Sequence, residues 1–125
     1  MNRSLLIVED DPDQLEVLAR CFVRAGYHVV SVHHPRQALE AASFRQFQVA
    51  LLDASLPEMG GVELLQCLKW TQHRLQFIIL SRYPHPERWA NAEGAFAWFV
   101  KPCNMALLEA TVADAFEHAV DEMLV

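Results

Sequence analysis

The segment Leu5-Leu6-Ile7-Val8-Glu9-Asp10-Asp11-Pro12 decides the fold. Four aliphatic residues run without polar alternation, so the strand they form needs cover on both faces, as in a parallel sheet. Three carboxylates follow at once. Asp11 then offers a side-chain oxygen to the free N–H groups of a first helical turn, and Pro12 stands where its missing donor costs nothing. Strand, acidic turn and helix start occupy a single short stretch.

The same pattern repeats down the chain. Near-continuous apolar runs recur at His28-Val29-Val30-Ser31-Val32, Val49-Ala50-Leu51-Leu52, Phe77-Ile78-Ile79-Leu80 and Ala97-Trp98-Phe99-Val100. Helical spacing fills the gaps. Leu15, Leu18, Phe22 and Val23 form a stripe that Gly26 ends as a C-terminal cap. Pro35 opens a second helix with Ala38, Leu39 and Ala42, and a third follows Gly60-Gly61 with Val62, Leu65 and Leu68. A short helix over about 87–93 is crowded by Pro84 and Pro86. From Asn104, an N-cap, the residues Leu108, Val112, Ala115, Phe116, Ala119 and Met123 carry the last helix. Strands alternating with helices call for right-handed crossovers and a doubly wound, five-stranded parallel α/β sheet covered on both faces. Residues 1–125 read as one domain.

Composition narrows the function. The 125 residues are 53% hydrophobic, which excludes a disordered chain, and too few for a second domain of ordinary size. Ten Lys and Arg against sixteen Asp and Glu give a net charge of −6, so there is no basic footprint for direct nucleic-acid binding. Cys21, Cys67 and Cys103 are far apart and form no CxxC pair, which points away from disulfides and zinc and toward a reducing cytoplasm. No apolar run approaches the length of a membrane span, and no signal peptide is visible at the N-terminus. The Asn2-Arg3-Ser4 sequon is a chance match.

In doubly wound sheets, ligands bind beyond the carboxyl ends of the strands. Strand one ends in Glu9-Asp10-Asp11, strand three in Asp53, strand four in Ser81 and strand five in Lys101-Pro102. Carboxylates, a hydroxyl and an ammonium therefore share one rim. Taken singly, a carboxylate after a strand is a helix cap and a lysine is solvated; four complementary strand ends exceed what capping requires. Glu9, Asp10 and Asp53 cannot all stay ionised at close range unless they take up a proton or bind a cation. Oxygen ligands alone favour Mg²⁺. A phosphoryl group on Asp53 would have its charge met by the ion and by Lys101. With only Gly26, Gly60, Gly61 and Gly94, the chain has neither a dinucleotide-binding turn nor a P-loop, and it lacks GxSxG and HExxH.

These residues resemble the receiver domain of bacterial two-component response regulators. The likeness spans the whole chain: Leu5 to Asp11 as the acidic first loop, Leu51-Leu52-Asp53-Ala54-Ser55-Leu56-Pro57-Glu58-Met59-Gly60-Gly61 as the acceptor loop, Ile78-Ile79-Leu80-Ser81 as the switch hydroxyl, and Phe99-Val100-Lys101-Pro102 as the lysine-proline end. The resemblance implies a flavodoxin-like sheet of order 2-1-3-4-5. It implies that Asp53 accepts a phosphoryl group from a phosphohistidine of a sensor histidine kinase or phosphotransfer protein. Mg²⁺ would be held by Glu9, Asp10, Asp53 and the backbone carbonyl of Ser55. Lys101 would pair with the phosphoryl oxygens beside a cis Lys101-Pro102 bond, and Ser81 and Trp98 would move with the switch toward a downstream protein or output domain. Such a domain catalyses its own phosphorylation and dephosphorylation and turns over no external metabolite; dimerisation is left open.

The chain departs from the family pattern in places. Arg82 stands where a small residue is usual, either a second cation near the phosphoryl group or a solvated side chain. Ser81 and Trp98 are two residues closer than is common, Trp98 lacks the hydroxyl of the usual tyrosine, Gly60 replaces an acidic cap, and Cys103 replaces a phenylalanine. These features feed an alternative, a pseudo-receiver acting as a phosphorylation-independent interaction module. A hydrolase using Asp53 as nucleophile is a third reading, opposed by the lack of a general acid for a leaving group. His28, His33 and His34 match no metal-site spacing and read as surface residues. An exposed Trp70 or Trp89 would indicate a protein interface.

Overall fold

A computed structural model describes residues 3–56, 58–82 and 95–124. Five strands, β1 (Ser4–Val8), β2 (His28–Val32), β3 (Val49–Asp53), β4 (Gln76–Ser81) and β5 (Ala95–Val100), form one sheet of order β2-β1-β3-β4-β5. Every pairing is parallel. The helices are α1 (Pro12–Arg24), α2 (Pro35–Phe44), α3 (Gly61–Thr71) and α4 (Met105–Leu124). The helix expected over 87–93, with Trp89, lies outside the described residues.

Alternation along the buried strands sorts the core into two layers. Leu6, Val8, Ala50, Leu52, Phe77 and Ile79 face α2 and α3, packing on Leu64, Leu65 and Leu68. Leu5, Ile7, Val49, Leu51, Ile78 and Leu80 face α1 and α4, packing on Phe22, Leu108, Val112 and Phe116. The inner strands β1, β3 and β4 are wholly buried, as their unbroken apolar runs require. The expectation of full cover fails only at the edges: β2 and β5 are partly exposed, because an edge strand has a neighbour on one side alone.

The sequence-encoded caps hold these layers in register. Asp11 accepts from the N–H groups of Asp13 and Gln14. Gly26 takes φ +96°, where an L side chain is strained, and closes α1 through Gly26 N–H to Val23 O and Tyr27 N–H to Phe22 O. The Phe22 and Tyr27 rings then pack 5.9 Å apart across that cap. Asn104 caps α4 through its side chain to Leu107 N–H. His34, read from sequence as a surface residue, caps α2 by accepting from Arg36 N–H. Gly60 precedes α3 with no side-chain cap.

Candidate functional site

The ladders continue one rung beyond the strands. Glu9 N–H donates to Val32 O, Ala54 N–H to Leu80 O, and Lys101 N–H to Ser81 O. The residues after β1, β3 and β5 are thus held by sheet bonds as rigidly as the strands themselves, which is what a site on a scaffold needs.

Three predicted ligands converge there. Glu9, Asp10 and Asp53 each offer a carboxylate oxygen within 4.8 Å of the others. Glu9 and Asp53 are buried, while Asp10 is exposed. Lys101 Nζ donates to Glu9 Oε1 at 2.6 Å and lies 3.6 Å from Asp53 Oδ2. Ser55 N–H donates to Asp53 Oδ1 at 3.0 Å, orienting the carboxylate. Ser81, the last residue of β4, is buried at the same rim, in register with Val100 and next to Leu80, the partner of Asp53. The Lys101-Pro102 peptide is cis, as expected.

The charge balance is poised. Burial first, then proximity to Asp53, pushes the Glu9 carboxyl up to about 8 against the pull of Lys101. Burial also works against ionised Asp53, yet the neighbouring Glu9 carboxyl, the Ser55 N–H and the Lys101 charge together hold its carboxyl below the usual range. The two shifts are opposite: Glu9 is pushed toward its neutral form while Asp53 is held charged. Glu9 Oε2 is buried without a hydrogen-bond partner among the described residues. A buried carboxylate oxygen facing a second carboxylate lacks a cation or a proton. Three hard oxygen donors, one orphaned, fit a divalent ion of the Mg²⁺ type.

Sequence reasoning missed Gln14. Its Oε1 accepts from Lys101 Nζ at 3.0 Å while its Nε2 donates to Asp11 Oδ2 at 3.3 Å. The two partners fix the amide orientation, since only oxygen can face an ammonium and only NH₂ a carboxylate. Asp11-x-x-Gln14 was visible as a capping-box spacing; its far end on Lys101 was not. The other singled-out residues separate. Arg82 is exposed and, with Gln14, Val17, Lys101, Pro102 and Met105, lines an open cleft of about 600 Å³ beside the acidic cluster. Trp98 is half-buried on the α2/α3 side of the sheet. Trp70 is 84% exposed.

The chain is 30% identical over 119 residues to the transcriptional regulatory protein ZraR of Escherichia coli O157:H7, covering 94% of this chain and 27% of that one. It therefore spans about a quarter of that relative's length. Among solved structures, a CheY-like response regulator receiver domain protein from Methanospirillum hungatei superposes with a TM-score of 0.91 at 27% identity, over 98% of this chain and 99% of that one. The receiver domain of a sensor histidine kinase from Pseudomonas aeruginosa, with a magnesium ion coordinated in its active-site cleft, superposes with a TM-score of 0.83 at 22% identity, over 94% of this chain and 99% of that one. The family model of the response regulator receiver domain matches residues 5–113, and the chain belongs to that family.

Proposed function

We propose that this domain is a phosphoacceptor switch in which Asp53 takes a phosphoryl group from a phosphohistidine of a sensor histidine kinase or phosphotransfer protein. The observation that carries the reading is the buried Glu9–Asp53 pair, with an orphaned oxygen, beside Lys101 at the ends of the parallel strands. Glu9, Asp10 and Asp53, with the backbone carbonyl of Ser55, would hold Mg²⁺. Bound there, the ion supplies positive charge to the phosphoryl oxygens.

The chain's own groups account for the rest. Asp53, held in its charged form, is the nucleophile; its oxygen forms the P–O bond as the donor's P–N bond breaks, and the imidazole, protonated at its other ring nitrogen, leaves neutral. Lys101, held by Glu9 and Gln14 near Asp53, has only a short distance to cover to pair with the added phosphoryl charge. The Ser55 N–H fixes the attack direction. Ser81, at the same rim, offers a hydroxyl to the phosphoryl oxygens, and Trp98 lies one strand away as the reporter of the switched state. The cleft lined by Val17, Arg82 and Met105 opens beside Lys101. Partners of the switched state are a downstream protein or output domain, in the cytoplasm. No helix among the described residues is long and apolar enough to cross a membrane.

A phosphorylation-independent module is the less favoured reading, because Glu9, Asp10 and Asp53 converge beside Lys101. The test is incubation with Mg²⁺ and a small-molecule phosphodonor, read by intact mass and tryptophan fluorescence. A gain of one phosphoryl group that requires Mg²⁺ and disappears in Asp53→Asn supports the reading. No gain at any time point, with the protein folded, refutes it.

A further inference from the structure

Phe44 and Trp70 are 85% and 84% exposed, the most exposed large apolar side chains among the described residues. Single exposed apolar residues are ordinary; these two stand at the ends of adjacent helices. Gln72 binds those ends together. Its buried amide donates to Ala42 O and Arg45 O, both at 2.8 Å, and accepts from Phe47 N–H at 2.9 Å. The C-terminal end of α2 and that of α3 are thereby one rigid platform at the amino ends of β3 and β4.

The platform's charge opposes that of the whole chain. The protein carries −6, yet residues 41–52 and 64–82 contain no Asp or Glu, so the nearest carboxylate in sequence is the exposed Glu40, one turn before Phe44 on α2. Arg45, Lys69 and Arg74 flank the two aromatic residues, and none forms an ion pair with a described residue. Lys69 also suits the negative end of the α3 dipole. That role explains neither Arg74, beyond the helix, nor an indole left in water. Tryptophan, phenylalanine and arginine are the residues enriched where protein surfaces meet, and clustered aromatic anchors contribute most of the binding energy.

We propose that Phe44, Trp70, Arg45, Lys69 and Arg74 form a docking surface for an acidic segment of a partner protein that also carries large apolar side chains. The aromatic residues bury the apolar part, and the three cations meet the carboxylates. Charge complementarity chooses this partner over a basic one and over a second copy's equivalent face, which would bring like charges together. The surface lies at the opposite end of β3 from Asp53, roughly 13 Å away along the four residue steps from Val49. A partner seated there leaves the acceptor and its cleft open, so docking and phosphorylation are compatible, and the proposal stands apart from the phosphoacceptor reading.

The test is fluorescence anisotropy with a labelled peptide in which glutamate alternates with leucine and phenylalanine. Its lysine counterpart and a single-stranded oligonucleotide serve as competing probes. The acidic peptide binds, salt weakens it, and the double variant Phe44→Ala/Trp70→Ala loses about tenfold or more in affinity. Arg45→Glu/Lys69→Glu/Arg74→Glu reverses the preference toward the lysine peptide, whereas Asp53→Asn leaves binding unchanged. All these platform side chains lie at the surface or close to it, and thermal melts by circular dichroism verify that each variant is folded. Failure of the acidic peptide to bind, equal binding of the lysine peptide, or affinity that survives the double alanine change overturns the proposal. Preference for the oligonucleotide also overturns it, in favour of a nucleic-acid surface.

Discussion

Adjacent glycines at the start of α3 are expected to respond in opposite ways to substitution. A Cβ on Gly61 would stand 2.7 Å from Asp53 O and 2.8 Å from Ala54 Cα, closer than real Cβ contacts and against backbone that cannot rotate away. Gly61 N–H already donates to Ala54 O at 3.2 Å, so the helix start is drawn onto the acceptor loop. In Gly61→Ala, gains from helix propensity reach at most ~1 kcal/mol. Overpacking of this kind costs about 1–3 kcal/mol, and the backbone contact puts it in the upper part of that range. The net loss is about 1–2 kcal/mol, a fall in Tm of roughly 3–10 °C for a domain of this size. Because the displaced atoms belong to Asp53 and Ala54, phosphorylation with a small-molecule donor slows as well. A Cβ on Gly60 meets only Ala54 O at 3.8 Å, and Gly60 is an N-cap without a side-chain bond. Gly60→Asp therefore adds a cap and raises stability by a few tenths of a kcal/mol. Urea melts of the two variants, with donor phosphorylation followed by intact mass, decide the matter. A Gly61→Ala protein as stable as wild type and phosphorylated at the wild-type rate would refute the close-approach reasoning.

Three further outcomes follow from particular side chains. With metal removed by a chelator, the folded state retains a proton on Glu9 that the unfolded chain has released above its ordinary carboxyl value. Stability therefore falls as pH rises through about 8, by at most ~1.4 kcal/mol per pH unit, whereas the contribution of Asp53 is present above its ordinary value and lost in acid. Urea melts at about pH 5.5 and about pH 7.5 read this slope, Mg²⁺ flattens it by replacing the proton, and a chelated protein more stable at the higher pH contradicts the proton assignment. Gln72→Ala strands Phe47 N–H and the carbonyls of Ala42 and Arg45, and costs about 2–4 kcal/mol in a urea melt; a cost below the error of the melt would show that water replaces the amide. Asp11→Ala removes the α1 cap at a cost of about 1 kcal/mol and frees Gln14. The variant is expected to accept phosphoryl groups more slowly from a small donor even well below its melting temperature, and an unchanged rate would separate Gln14 from Lys101 positioning.

The strand ends were legible because burial writes itself into composition. A strand covered on both faces cannot alternate, so Leu5 to Val8, Val49 to Leu52 and Phe77 to Leu80 announced themselves, and the first polar residue after each had to lie at the rim. Caps were legible for a similar reason. Asp11-Pro12, Gly26 and Asn104 act within a few residues, and the observed bonds are those their types make. His34 escaped because imidazole is an uncommon cap, recognisable only once its Nδ1 faces Arg36 N–H.

Sequence by itself determined the sheet, the helix starts and the carboxylate, hydroxyl and ammonium groups at its rim, because these depend on local patterning and short-range hydrogen bonds. Tertiary structure alone decided the raised carboxyl of Glu9 beside Asp53, the hold of Gln14 on Lys101 and the platform that Gln72 builds between α2 and α3. Each of these joins residues far apart in the chain. Their energies depend on distances of a few ångströms and on burial, which no spacing in the sequence encodes.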